Sequence, residues 1–159
     1  ILQEEVDIDS EFYINDDKSY EPPIIKKQIN KPDVVIKSPI DWWKYYKDSK
    51  KEERVSKKNK YRYDYAEGKM SFPDSKELPS RTIITGEGGP APSRFKHIIK
   101  VGNKFRRLTP IELERLNMFP DNHTEFEGIT NSKRAFFMGN ALVVGVIEKI
   151  GIKLWELEN

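Results

Sequence analysis

Arg106-Arg-Leu-Thr-Pro-Ile-Glu-Leu-Glu-Arg-Leu-Asn-Met-Phe-Pro-Asp121 is the most legible stretch of the chain, and the rest of the fold is read from it. Thr109 is a helix N-cap. Pro110 takes the first helical position, where a missing N–H costs nothing, and Glu112 is placed to reach back to the cap amide. The helix so started is expected to end before Pro120. Leu108, Leu113 and Leu116 read as core. A second start signal at Thr130 to Ser132 leads into Lys133-Arg-Ala-Phe-Phe-Met138. Gly139-Asn140 reads as a break, and a helix is expected from about Ala141 to Trp155. Val143, Val146, Ile147, Ile150 and Leu154 recur there at helical spacing, a stripe that needs a partner.

Upstream the pattern loosens. Arg81-Thr-Ile-Ile-Thr85 and His97-Ile-Ile-Lys-Val101 read as two strands around the turn-rich Gly86-Glu-Gly-Gly-Pro-Ala-Pro92, a hairpin with an unusually long loop. Residues 41–60 read as a helix from Asp41 with Trp42, Tyr45 and Tyr46 on one face, followed by a mobile Lys/Glu-rich tail. Before that, Val6-Asp-Ile8 and Val34-Val-Ile36 are short strand-like strings separated by Pro22-Pro23, Pro32 and Pro39.

Composition narrows the function classes. The 159 residues contain no cysteine, which excludes disulfides, thiolate metal sites and a cysteine nucleophile. Mean hydropathy is −0.74, and no uninterrupted apolar run approaches the ~20 residues that cross a bilayer, so no membrane role is expected. The first twenty residues are acidic where a signal peptide needs a basic start. The net charge of +2 hides an asymmetry: 22 Lys/Arg against 11 Asp/Glu fall in residues 21–108, with acidic flanks on both sides. Trp42, Trp43, Tyr45, Tyr46, Tyr61, Tyr63 and Tyr65 interleave with the bases around Lys50 to Arg62. Cations attract phosphates and aromatic faces stack or wedge, so this middle points to nucleic acid.

No self-contained active site emerges. His97 and His123 lack the company of metal ligands at a recognisable spacing. Gly86-Glu-Gly-Gly lacks the Lys-Ser/Thr ending of a phosphate loop and opens no helix. No nucleophile elbow occurs. The residues alone describe a basic, loop-rich domain.

The stretch from Arg106 to Asp121 resembles the ninth conserved block of bacterial cytosine-5 DNA methyltransferases, R-x-L-T-P-x-E-x-x-R-L-x-x-F-P-D. Met138-Gly-Asn-Ala-Leu-Val-Val144 is similar to their tenth block, G-N-[AS]-V, with about twenty residues between Pro120 and Gly139 as in the family. Leu2-Gln-Glu-Glu-Val-Asp7 with Phe12-Tyr-Ile14 resembles the segment after the eighth block. Arg81 to Thr85 followed by Ser93-Arg-Phe-Lys-His97 resembles the end of the target-recognition region. The match weakens over residues 21–60. The family's cofactor loop, Pro-Cys nucleophile loop and Glu-Asn-Val segment have no counterpart in this sequence.

The resemblance implies an α+β chain: a small, irregular, mostly-β target-recognition domain with few helices over residues 1–128. Residues 129–159 would return through a C-terminal helix to a Rossmann-like catalytic domain. It implies double-stranded DNA as partner, contacted through Arg81, Thr82, Thr85, Gly88, Gly89, Ser93, Arg94, Lys96 and His97. Lys26, Lys27 and the bases of 50–62 would serve phosphates. Arg106 would organise the interface with the catalytic half. S-adenosylmethionine would be bordered by Gly139, Asn140, Ala141 and Phe119, with backbone amides facing its carboxylate at Ala141. Family chemistry needs a thiolate on C6 of cytosine and an acid at N3, so the chain is expected to be inactive without an N-terminal catalytic half, in the same polypeptide or as a partner subunit. Ile1 in place of Met points to an excised piece. A natural small subunit of a split methyltransferase, or a non-catalytic nucleic-acid-binding module, is the alternative. The expected setting is the bacterial cytoplasm, at the nucleoid. The stripe on helix 141–155, without its family partner, is expected to self-associate, fold back or lose order.

Overall fold

Ser38 and Pro39 start the first α-helix of the described residues earlier than the periodicity predicts. Proline at the first position is preorganised for helix, and the Asp41 carboxylate accepts the Ser38 N–H at 3.1 Å. A computed structural model describes residue 2 and residues 8–14 and 38–158. Val34-Val-Ile36, Lys26, Lys27 and most of the acidic opening lie outside the described residues. The helices are α1 (Pro39–Lys47), α2 (Pro110–Leu116), α3 (Asn131–Asn140) and α4 (Val144–Glu158). The strands are β1 (Lys50–Val55), β2 (Arg62–Glu67), β3 (Ile99–Val101) and β4 (Lys104–Arg106), forming two antiparallel two-stranded sheets. The architecture is thus mixed α and β, with few helices and small two-stranded sheets, and its helical excess lies in α3 and α4, after residue 128.

The strand pairing differs from the sequence reading in two places. Ile99–Val101 pairs with Lys104–Arg106 and not with Arg81–Thr85. The reason is local: Gly102, at φ +55°, supplies the left-handed step of a two-residue Gly-Asn turn, which closes far more easily than a loop of a dozen residues. The Lys/Glu-rich segment after α1 is a strand and not a mobile tail. Its hairpin partner brings Tyr63 and Tyr65 opposite Arg54 and Glu52, and cross-strand charges pair along it.

The segment before residue 15 completes the β3–β4 sheet. Tyr13 bridges Arg106, the Arg107 N–H donates to the Phe12 carbonyl at 2.9 Å, and the Ile14 N–H to the Phe105 carbonyl at 2.8 Å. Two apolar clusters result. One joins Ile83, Ile99, Leu108 and Leu113 to Ala135 and Met138 of α3, with Leu116 packed at its margin. The other joins Ile40 and Trp43 of α1 to Ile98, with Phe72 and Phe105 stacked beside them.

The C-terminal helices follow the start signals but not the expected break. Thr109 and Glu112 form the predicted capping box, and Thr130 caps α3. Gly139 and Asn140 are the last residues of α3, the extended break falls at Ala141, and the next helix starts at Val144. Asn140 postpones the break by donating its side-chain amide to the Phe136 carbonyl, one turn back, at 2.9 Å. Gly139 is fixed by packing. A Cβ there would lie 2.5 Å from backbone atoms of Ile84 and Thr85, so α3 rests directly on that segment.

Beyond the break, α4 leaves the core. Among its described residues only Gly145 is buried, while Val146, Ile147, Ile150 and Leu154 are all about half exposed or more. The helix has neither folded back nor unravelled. The stretch Asn131–Glu158 is long and apolar enough to cross a membrane by length and composition, with mean hydropathy 1.6 over its most apolar part, although polar residues interrupt its apolar run. The extended residue Ala141 divides it, and the 15 residues of α4 span only about 22 Å against ~30 Å of hydrocarbon.

Two glycine variants test this packing. Gly139→Ala forces a methyl into backbone and should cost about 1–3 kcal/mol, whereas Gly151→Ala, with nothing within 4 Å, should stabilise by up to ~1 kcal/mol. Thermal unfolding of the two variants side by side reads the difference.

Candidate nucleic-acid interface

The segment from Arg81 to His97 carries most of the residues assigned to DNA, and its shape is set by ion pairs and carbonyl clamps. Asp74 is the hub. Its Oδ1 accepts from Arg81 Nε at 3.1 Å and Nη2 at 2.7 Å, and its Oδ2 from Lys47 Nζ at 2.9 Å and the Ile98 N–H at 2.8 Å. Arg81 also donates to the carbonyls of Phe95 (2.9 Å) and Lys96 (3.2 Å), tying the two ends of the segment together.

The tip of the segment is held the same way. Lys96 is buried and donates its ammonium to the Gly89 and Ala91 carbonyls, both at 2.8 Å. Burial, with Arg107 close by, holds that ammonium below its ordinary pKa. The carboxylate of Glu87 accepts both the backbone N–H of His97 and, at 3.1 Å, its ring Nδ1; Ser80 Oγ lies 3.1 Å from the other ring nitrogen. Gly88 is pressed against α3: its carbonyl accepts from Arg107 at 2.7 Å and from Ser132 at 3.0 Å, and a Cβ would lie 2.7 Å from Ser132 Cα. The close backbone approach that the glycines were expected to offer DNA is, at Gly88, an approach to α3. Arg94 reaches away from the tip, to the carbonyls of Tyr46 (3.2 Å), Asp48 (3.1 Å) and Gly68 and to the Glu67 carboxylate (3.2 Å).

The structure therefore brings Arg81, Arg94, Lys96 and His97 together as internal fasteners, and leaves Thr82, Thr85 and Phe95 facing solvent. Ser93 is half-buried and accepts the Phe95 N–H at 3.3 Å. Gly89 is half-buried, 3.2 Å from the Lys96 ammonium at its hypothetical Cβ. Sequence reasoning missed Asp74 and Glu87. Only the turn-like Phe72-Pro-Asp74 marks the first, and nothing in sequence connects it to Lys47, 27 residues away.

Arg106 is almost wholly buried and makes a two-pronged pair with Glu112, 2.8 Å on each prong, while Glu112 also accepts the Thr109 N–H at 2.9 Å. It fastens β4 to the cap of α2. At the C-terminal end, Asn140 is exposed, Ala141 half-buried in extended backbone, and Phe119 half-buried against His123 at 4.8 Å between ring centres. Gly139 is filled by the chain itself, and the Val144 N–H is taken by the Asn117 carbonyl. The Ala141 N–H, the amide expected to face a carboxylate, is spent on the Met138 carbonyl at 3.3 Å, and the Asn140 side-chain amide on the Phe136 carbonyl. Among the described residues no cluster of three or more His, Cys, Asp or Glu is placed to hold a metal.

The family model for C-5 cytosine-specific DNA methylase matches residues 2–156. A curated relative, the type II methyltransferase M.Sau3AI of Staphylococcus aureus, is 41% identical over 136 residues, which are 86% of this chain and 32% of the relative. The chain thus spans about a third of that protein. No solved structure matches.

Asp74 makes stability fall in acid. Burial alone would raise its pKa, but the Ile98 amide, Lys47 and Arg81 outweigh burial and hold the carboxyl below its ordinary value. A depressed carboxylate stabilises fully above its unfolded pKa of about 4, and that share is lost as pH falls through the lower folded value. Asp74→Asn should cost about 3 kcal/mol at neutral pH by stranding Lys47, and should flatten the fall below about pH 4. Urea titrations across that range check both.

Proposed function

Because the chain belongs to the C-5 cytosine-specific DNA methylase family, we propose that it is the target-recognition and C-terminal part of an S-adenosylmethionine-dependent DNA (cytosine-5)-methyltransferase of restriction–modification type. The observation that carries this is a family match running through nearly the whole of a sequence that has no cysteine. Methylation of C5 in this family needs a thiolate on C6, and no residue here provides one. The chain's share of the reaction is to bind and orient.

In this reading residues 1–128 face the major groove, and the target base is flipped towards the catalytic half. Thr82, Thr85, Ser93 and the backbone of 86–91 meet the DNA, in a shape fixed by Arg81, Lys96 and His97. Thr hydroxyls suit base edges or phosphates, and a loop already held by its own side chains loses less entropy on binding. Residues 129–159 lead back to the catalytic half, which covers the apolar stripe of α4. In its absence a second copy of the helix does so. S-adenosylmethionine, when bound, supplies the methyl group; Asn140, Ala141 and Phe119 hold one edge of it, with Gly139 keeping that edge against the recognition loop. The setting is the DNA-containing compartment of a bacterial cell.

Tritiated-methyl transfer to plasmid DNA tests the proposal. The chain alone should incorporate nothing, and mixing it with a polypeptide carrying the family's nucleophile and cofactor blocks should restore incorporation. Label transferred by the chain alone would overturn the assignment.

A further inference from the structure

The cations of the recognition segment are occupied, so the charge left over lies elsewhere. We infer that the β1–β2 hairpin is an arm for the phosphate backbone of duplex DNA, holding it through Lys57, Lys58 and Lys60 at its tip. This rests on the DNA reading above and assigns it a second contact surface, away from the 81–97 loop.

Lys51 stands exposed near the root of the hairpin, and three more exposed lysines gather at its tip, while the other cations of the shaft are paired. Arg54 pairs with Glu52 at 2.7 Å, Arg62 with Glu53 at 3.2 Å, and Lys50 with Glu67 at 4.0 Å. The ammonium groups of Lys57, Lys58 and Lys60 are exposed and have no partner among the described residues. Like charges gathered at one turn repel one another, and a polyanion relieves that. Lys60 also sits in the left-handed region at φ +57°, which costs an L-residue roughly 1 kcal/mol and would suit glycine or the neighbouring Asn59 better. The turn thus keeps a lysine where local conformation argues against one, which favours a role for its side chain.

The rest of the hairpin is built as a support. An isolated two-stranded hairpin is marginal in water. This one is secured at its root: Lys50 lies over the rings of Tyr45 (4.6 Å) and Tyr46 (5.0 Å), and Arg94 clasps Glu67 and the carbonyls on either side of the hairpin. Along the shaft Arg54 stacks on Tyr65 at 3.4 Å. Six-residue strands then carry the tip about 20 Å from that root, roughly the width of a duplex. Among the described residues no other strand pairs with the ribbon. Phosphate, with about one charge per 1.7 Å of duplex, matches closely spaced lysines better than isolated carboxylates do.

The test is the salt dependence of binding to a short duplex, read by fluorescence anisotropy on the full chain. Lys57→Ala/Lys58→Ala/Lys60→Ala should make the slope of log K against log salt shallower by about 2.7, with the same loss on two duplexes of unrelated sequence, because phosphate contacts carry no sequence information. The corresponding triple arginine variant should keep the wild-type slope. Unchanged circular dichroism and melting confirm that the alanine variant folds. Wild-type binding with an unchanged slope in the alanine variant would remove the arm while leaving the DNA reading intact. Failure of the wild-type chain to bind any duplex at low salt would overturn both. Tip-dependent capture by anionic vesicles, with no effect on duplex binding, would overturn the arm in favour of a lipid surface.

Discussion

The pair between Arg106 and Glu112 is the constraint on which the other elements depend. Both side chains are almost completely buried, so the energy of two desolvated charges is recovered only while the geometry holds. Glu112 closes the cap of α2 and receives both prongs of the guanidinium from the end of β4, which fixes the angle between hairpin and helix. The sheet then sets the position of Tyr13, and α2 sets that of α3. There a second buried set continues the arrangement: Glu114 accepts from Arg134 at 3.0 Å and from the Thr124 hydroxyl and N–H. From one ion pair the order passes outward to the helix that carries Gly139.

The parts legible in the sequence are those specified by neighbours along the chain. Thr109-Pro-Ile-Glu112 and Thr130 state their helices outright, because capping is a local interaction. The stripe of α4 was readable for the same reason, since periodicity needs no partner to be seen. Lys50–Val55 was not readable as a strand, because Lys-Lys-Glu-Glu-Arg-Val has little strand preference; its state is decided by Tyr63 and Tyr65 across the ribbon. The partner of β3 lies across Gly102-Asn103, a turn signal that begins at the residue directly after the predicted strand 97–101.

The candidate site shows the same division more sharply. Residue type points to Arg81, Arg94 and Lys96 as DNA ligands, but type does not reveal which carbonyls lie within reach, and each of these cations has found some. A basic residue in a recognition region has two competing fates, to hold the loop or to hold the ligand. The choice is made by Asp74, Glu67 and carbonyls on α1, after the hairpin and within 89–96, groups without any signal of their own. The exposed cations of the hairpin tip differ only in having nothing to grasp within the described chain.

The atoms of Ile84 and Thr85 that lie nearest Gly139 are backbone atoms. Its seat therefore asks nothing of the side chain at position 85, which points to solvent. Mutational drift or deliberate exchange of that exposed hydroxyl, and of Thr82 three residues earlier, leaves the bearing of α3 on the loop as it was. A lineage can revise which chemical groups the loop displays while the helix behind it stays in register. The surface that changes and the joint that must not change share a single strip of main chain.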